Sequence, residues 1–117
     1  MGTLTGDGCK VDIGRAHVDM NLKGDRCIGM GSEHRTAEVV LEEANVRLAV
    51  QGGQCFAIGS RDGRGILSSM NSDLSVTVKN GMNIDISVAD EDISLVNGRY
   101  MFMLNNRNIE RKVIEKY

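Results

Sequence analysis

The chain has 117 residues, of which 41% are hydrophobic and 26% charged, and its formal net charge is −2. This length allows one domain with a modest core, predicted to span residues 1–117, and the composition is that of a globular chain. No basic field is present to attract nucleic acid, and no segment resembles a membrane span or a signal peptide. We therefore expect neither nucleic acid nor a membrane among its partners.

Glycine and proline usage indicates strands rather than helices. The chain has 14 glycines and no proline, and the glycines separate segments in which apolar and polar residues alternate. Such alternation, interrupted by turn-forming glycine, is typical of short strands joined by tight turns.

The first predicted coil covers residues 6–23 and contains two short strands. A polar corner residue, His17, separates them, and Gly24 follows the second strand as a turn residue that tolerates left-handed backbone. The alternating apolar residues are Val11 and Ile13 in the first strand, then Val18, Met20 and Leu22 in the second.

The second and third predicted coils, 24–51 and 52–79, repeat this pattern with a period of 28 residues. The segment GDRCIGMGS at 24–32 returns as GGQCFAIGS at 52–60, with Gly, Cys, Gly and Ser at matching places. Each of these segments also supplies a third strand. The repeated strands contain Val39 and Leu41, Val46, Leu48 and Val50, Leu67 and Ser69, and Leu74, Val76 and Val78; their corner residues are Asn45 and Asp73.

The fourth predicted coil, 80–105, follows the same pattern, with Ile84 and Ile86 in its third strand and a two-residue contraction after Ile86. Its strands carry Ile93 and Leu95, then Tyr100, Phe102 and Leu104, with Arg99 at the corner between them. Residues 106–117 follow as a C-terminal cap or tail, with apolar residues that can cover the end of the stack.

These regularities predict an all-β fold, a parallel β-solenoid of about four coils with three short strands per coil. One coil cannot bury its apolar side alone, whereas coils stacked about 4.8 Å apart form a continuous core. The alternative is an antiparallel sandwich or small barrel, which also has short strands and turns but does not require an equally spaced signature.

The repeated Gly-x-x-Cys-x-x-x-Gly-Ser segments, each followed by strands of alternating valine and leucine, resemble right-handed parallel β-helix proteins of the pectate-lyase-like type. They are also similar to Gly-rich repeat regions of bacterial surface proteins. The resemblance covers residues 6–105 and implies a β-helix fold in a larger bacterial protein. Its members include polysaccharide lyases and hydrolases, adhesins and structural modules, so it does not select one function.

One candidate metal site comes from the repeat. His34, Asp62 and Asp90 are spaced 28 residues apart, so stacked coils would place them in one column. A histidine with two carboxylates can bind a divalent metal or perform acid–base chemistry. The alternative is a solvated corner of mixed charges, and no other cofactor is expected.

The three cysteines, Cys9, Cys27 and Cys55, are too few for a disulfide framework. Cys27 and Cys55 occupy the same place in neighbouring coils, where parallel side chains favour a stack of reduced thiols over a disulfide. Free thiols and the missing signal peptide favour a cytoplasmic location, although a fragment of an exported protein is equally compatible.

A candidate interface lies on the last coil. Met101 and Met103 replace the polar outer residues of earlier coils, and Tyr100 flanks them. An exposed apolar cluster marks a contact surface, unless residues 106–117 fold back and cover it. The N-terminal end has no comparable cap, so a partner or an upstream domain is expected there.

The sequence lacks a recognisable catalytic set, and we expect a non-catalytic structural or protein-interaction module that self-associates or binds a protein partner. A glycan-binding or adhesion module is the second hypothesis, although sugar platforms need exposed aromatic residues and the aromatic content is only 3%. The third is a polysaccharide-active or metal-dependent enzyme centred on His34, Asp62 and Asp90.

Overall fold

The computed structural model describes residues 2–3, 9–32 and 36–114, and the side chains of residues 10–32 and 36–114. These residues form strands and one 3₁₀ turn, Asp90–Asp92. Within them, no helix is long and apolar enough to cross a membrane. The strands are β1 (Gly2–Thr3), β2 (Cys9–Gly14), β3 (His17–Lys23), β4 (Ile28–Ser32), β5 (Ala37–Glu42), β6 (Asn45–Gln51), β7 (Phe56–Ser60), β8 (Gly65–Lys79), β9 (Ile86–Ser87), β10 (Ile93–Leu104) and β11 (Arg107–Asn108).

The strands stack as parallel coils. One sheet has the order β1-β4-β7-β9, and the other has the order β11-β10-β8-β5-β2, with β3 and β6 stacked on the second half of β8. Apart from the antiparallel β10–β11 pair, these pairings are parallel. The predicted all-β parallel β-solenoid is therefore confirmed, and the antiparallel sandwich is excluded.

The register follows the 28-residue period. Val11 lies beside Val39, and Ile58 lies beside Ile86, each pair 28 positions apart. Ile93 lies beside Leu67, only 26 positions away, so the contraction falls in the segment that contains the 3₁₀ turn. The stack has about three turns rather than about four, because the predicted coil 6–23 has two of the three strands and the last coil has only the short β9 as its third.

The corner between first and second strands is built by left-handed backbone. Arg15, Glu43, Asn71 and Asn97 have φ of 48°, 51°, 54° and 42°, one residue per coil. The predicted corner residues, His17 and its equivalents in later coils, lie two residues after these positions. They are already inside strands, where each pairs with its equivalent in the neighbouring coil. The corner also changes side-chain parity: inward residues have odd numbers in β2 and β5 and even numbers in β3 and β6.

The core is the continuous interior of the stack. Valine, leucine and isoleucine from successive coils lie above one another and are almost fully shielded from solvent. One coil cannot bury these side chains alone, because each needs the coil above and below. The largest fully buried side chains are Phe56, Phe102, Met30, Leu41, Leu48, Ile58, Leu67, Leu74, Leu95, Val39, Val46 and Val76.

Cys27 and Cys55 form a disulfide, with their Cα atoms 4.5 Å apart, so the predicted stack of reduced thiols is wrong. The two residues immediately precede β4 and β7 rather than lying within them. The pleat does not hold their side chains parallel there, and the sulfur atoms turn toward each other. Two of the three cysteines are thus paired, which weakens the inference from free thiols to a cytoplasmic location.

Candidate functional site

The residues of the candidate metal site do not form a ligand cluster within the described part of the chain. His34 lies outside the described residues. Asp62 is exposed in the loop after β7, and Asp90 begins the 3₁₀ turn. Among the residues that the structure describes, no group of three His, Cys, Asp or Glu side chains could hold a metal ion.

An ion pair occupies the neighbouring part of this corner. The guanidinium of Arg64 donates to both carboxylate oxygens of Asp92, 28 residues later, at 3.2 and 2.7 Å. The hydrogen bond and the positive charge of Arg64 lower the pKa of Asp92, against an opposing effect of desolvation. The same hydrogen bond raises the pKa of Arg64. The corner thus joins two coils electrostatically.

The predicted interface residues do not share one face. Met101 points outward and is 47% exposed, whereas Met103 is half-buried beside Asn108 of β11. Tyr100 turns inward: its hydroxyl lies 3.1 Å from Ser69 Oγ and donates to the Val96 carbonyl at 3.0 Å. Because Tyr100 packs against the core and Met103 is partly covered, Met101 is the one of these three residues with a largely exposed side chain.

A C-terminal cap, defined as residues 105–114, covers the edge of β10. Its backbone adds hydrogen bonds to that edge, from Ile109 N to Phe102 O and from Ile114 N to Leu95 O, both at 2.8 Å. Ile114 also forms a parallel bridge with Val96. The cap therefore covers both ends of β10, whereas β9 is the last strand of its sheet among the described residues.

A shielded ion pair anchors this cap. Arg111 donates to both carboxylate oxygens of Asp85 at 2.6 and 2.8 Å, and the two side chains are only 15% and 5% exposed. The guanidinium also lies over the ring of Phe102, 4.4 Å from its centroid. Three contacts from one side chain thus fix the cap on the last coil.

At the opposite end of the stack, the described residues supply no covering coil. We call β2 and β3 the N-terminal edge; β2 pairs only with β5 and β3 only with β6 within the described residues. The inward residues Val18, Met20 and Leu22 are half-buried. Their equivalents one coil later, Val46, Leu48 and Val50, are at most 3% exposed. The N-terminal edge therefore presents apolar side chains that no other coil covers in the part of the chain that the structure describes.

The backbone of this edge is oriented for pairing. The N–H of Gly24 donates to Gln51 of the next coil at 3.1 Å. Because N–H and C=O groups alternate in direction along a strand, those of Asp19 and Asn21 face away from the stack. In β2 the N–H of Arg15 donates to Glu42 at 3.0 Å, so the backbone of Asp12 faces outward in the same way. No described strand pairs with these groups, which therefore form a hydrogen-bonding edge.

The outward side chains of the N-terminal edge carry both signs of charge, such as Lys10, Asp12 and Asp19. Arg15, at its corner, pairs with Glu43 at 2.7 Å. Edges of this kind are where other proteins add an extended segment as a further strand. No protein-family model, curated protein or solved structure matches the chain. The geometry of the coil ends is thus what bears on function.

Proposed function

We propose that the protein is a non-catalytic interaction module that self-associates through its N-terminal edge. The observation that supports this proposal is the contrast between the two ends. The C-terminal cap hydrogen-bonds to both ends of the β10 edge, whereas β2 and β3 have neither a pairing strand nor an apolar cover among the described residues. A protein that covers one end and leaves the other open has a surface suited to another β edge.

Both parts of the association have a physical cause. A paired strand would satisfy the outward N–H and C=O groups of Asp19 and Asn21, which water satisfies in the free chain. It would also cover Val18, Met20 and Leu22, and burial of apolar surface contributes about 25 cal/mol per Å². The inner rows of the solenoid would then continue into the partner.

The glycan-binding alternative gains no support from the described aromatic residues. Phe56 and Phe102 are each 1% exposed, and the Tyr100 hydroxyl is hydrogen-bonded inside the stack. Sugar rings stack on exposed aromatic faces. The resemblance to pectate-lyase-like proteins agrees with a β-helix module and adds no activity to the proposal.

The test is light scattering coupled to size exclusion, over a concentration series of the full chain. Asn21→Pro removes one outward N–H without touching the ladder to β6, and proline is tolerated on such an edge. We expect the parent chain to associate and Asn21→Pro to associate at least tenfold more weakly. Asn21→Thr, which keeps the N–H, is the matched control and should behave like the parent.

Met101→Asp decides between the two candidate surfaces. It adds a charge at the exposed methionine of the last coil and should leave association unchanged. Loss of association in Met101→Asp alone would move the interface to the C-terminal end and overturn the proposal. A parent chain that is monomeric at every concentration would overturn it as well. Circular dichroism confirms that each variant is folded.

A further inference from the structure

We infer that the second copy docks head to head, with a two-fold axis at the corner between β2 and β3. In this arrangement β2 of each copy pairs antiparallel with β3 of the other. The inference rests on the proposed function and specifies its partner as a second copy of this chain, in one orientation.

The C-terminal cap is the first reason. Head-to-tail stacking would require the N-terminal edge of one copy to continue the edge of β10 in the next. Residues 105–114 already occupy that edge, and Arg111 holds them there through Asp85 and Phe102. The N-terminal edge of one copy therefore contacts the N-terminal edge of the second copy. Such an isologous contact gives a closed dimer.

Backbone direction is the second reason. In β2 the outward-facing groups belong to even-numbered residues such as Asp12, and in β3 they belong to odd-numbered residues such as Asp19 and Asn21. Hydrogen-bonded pairs in an antiparallel ladder join residues that both face the partner. Antiparallel pairing of β2 with β3 of the second copy meets this condition in every register that joins an even residue to an odd one.

Side-chain direction gives the same answer. The inward residues are odd in β2, as Val11 and Ile13, and even in β3, as Val18, Met20 and Leu22. The registers that satisfy the backbone therefore also place inward side chains beside inward side chains. A slip of one residue would break both agreements together. The apolar interior would run without interruption from one copy into the other.

The bend of the edge selects the position of the axis. Pairing β3 with β3 of the second copy also satisfies the backbone, but it leaves both β2 strands unpaired. An axis at the corner, beside Ala16, maps the bend onto itself and engages β2, of 6 residues, and β3, of 7 residues, in each copy. This arrangement fills the whole N-terminal edge and is the one we infer.

Disulfide trapping at the axis tests the orientation. Only a two-fold interface brings a residue next to its own copy, so Ala16→Cys in a Cys9→Ser background should form a covalent dimer on mild oxidation with copper phenanthroline. Cys27 and Cys55 stay paired with each other in this background. Lys112→Cys, exposed on the C-terminal cap, is the matched control and should stay uncrosslinked. Adding Asn21→Pro to the Ala16→Cys variant should reduce its crosslink at least tenfold.

The outcomes separate this inference from the proposed function. Association in light scattering, with no crosslink from either Ala16→Cys or the adjacent His17→Cys, would overturn the head-to-head arrangement and leave self-association standing. Crosslinking of Lys112→Cys in place of Ala16→Cys would overturn both. A covalent dimer from Ala16→Cys, at concentrations where the parent associates, supports both.

Discussion

Four residues with left-handed backbone, one per coil, turn the chain between its first and second strands. Asparagine occupies this place in the later coils, as Asn71 and Asn97, and asparagine adopts the left-handed region comparatively easily. Arg15 and Glu43 occupy it in the earlier coils, where their β-carbons conflict with the backbone at a cost of about 1–2 kcal/mol each. Every coil thus requires left-handed backbone at this corner, but only the later coils have asparagine, the residue type of these that adopts it most easily.

Glu43→Asn should stabilise the protein because it relieves this conflict. We expect the free energy of unfolding to rise by about 0.5–1 kcal/mol in denaturant titrations. The exposed ion pair between Glu43 and Arg15 contributes about 1 kcal/mol or less to the free energy of unfolding. Replacement of Glu43 by any neutral residue weakens it. Glu43→Gln, which loses the same charge and keeps the long side chain, is therefore the reference. Equal stability of the two variants would show that the left-handed backbone costs nothing here.

The ion pair between Arg64 and Asp92 should make stability depend on acidity. The pKa of Asp92 is lowered from its ordinary value of 3.8 in the folded protein. As the pH falls through 3.8, the unfolded chain takes up this proton before the folded chain does, so the stabilisation present at neutral pH is lost. Unfolding titrations at pH 6 and pH 3 should differ less for Asp92→Asn than for the parent. Asp90→Asn, in the same turn, should keep the parent's difference.

Single residues also show what a repeat cannot predict. Asn80 follows a second strand, and this position predicts a turn made by left-handed backbone. In the structure the Asn80 side chain stabilises the turn instead, because its Nδ2 donates to Cys55 O and Ile84 O, both at 2.6 Å. The disulfide was missed because the strand alternation was extended to Cys27, which precedes its strand. Periodicity predicts which residues are neighbours, whereas the local backbone determines which hydrogen bonds or disulfides those neighbours form.

At the scale of elements, the C-terminal cap depends on a shielded charge pair. Arg111 and Asp85 neutralise each other in a place where neither is well solvated, and no described group hydrogen-bonds to the buried Nε of Arg111. Burying two charges costs much of what their attraction returns, so such a pair stabilises little relative to an apolar one. Removal of only one of the two side chains is strongly destabilising, because the other is then left as an unpaired buried charge.

A double-mutant cycle on this pair should therefore be strongly non-additive. Arg111→Met leaves the carboxylate of Asp85 unpaired and should lower the free energy of unfolding by about 3–5 kcal/mol. Asp85→Leu with Arg111→Met should recover most of this loss, as measured by denaturant titration. Losses that simply add in the double variant would mean that the two side chains do not act together.

The coil elements were predictable from sequence, whereas the cap and the ion pairs were not. Alternation and the 28-residue spacing predicted most strand positions, and the contraction was placed correctly after Ile86. The predicted strand residue Ile84 is an exception, because it is exposed and lies outside β9. The cap lies outside the period, so nothing in the repeat indicated that Arg111 would reach Asp85. The contraction falls in the corner that contains Asp90, so spacing alone did not determine whether Asp90 aligns with His34 and Asp62.

The whole molecule behaves as a one-dimensional stack whose ends differ. Interior coils have a neighbour on both sides, the last coil has the C-terminal cap, and β2 and β3 have a neighbour on one side among the described residues. In such a stack each coil's stability is set by its nearest-neighbour contacts. The N-terminal edge should therefore be the first part of the solenoid to open, and also the part that gains most from a partner.

Amide hydrogen exchange can measure both properties in one experiment. In the free chain, the N–H groups of Val18, Met20 and Leu22 donate into the stack, whereas those of Asp19 and Asn21 face outward and should exchange far faster. At concentrations where the chain associates, pairing with a second copy should slow Asp19 and Asn21 by about tenfold or more. The interior amides of β6 should change little. Protection that appears instead around Met101, with Asp19 and Asn21 still fast, would show that the copies meet at the capped end, and the contrast between the two ends would then have no bearing on association.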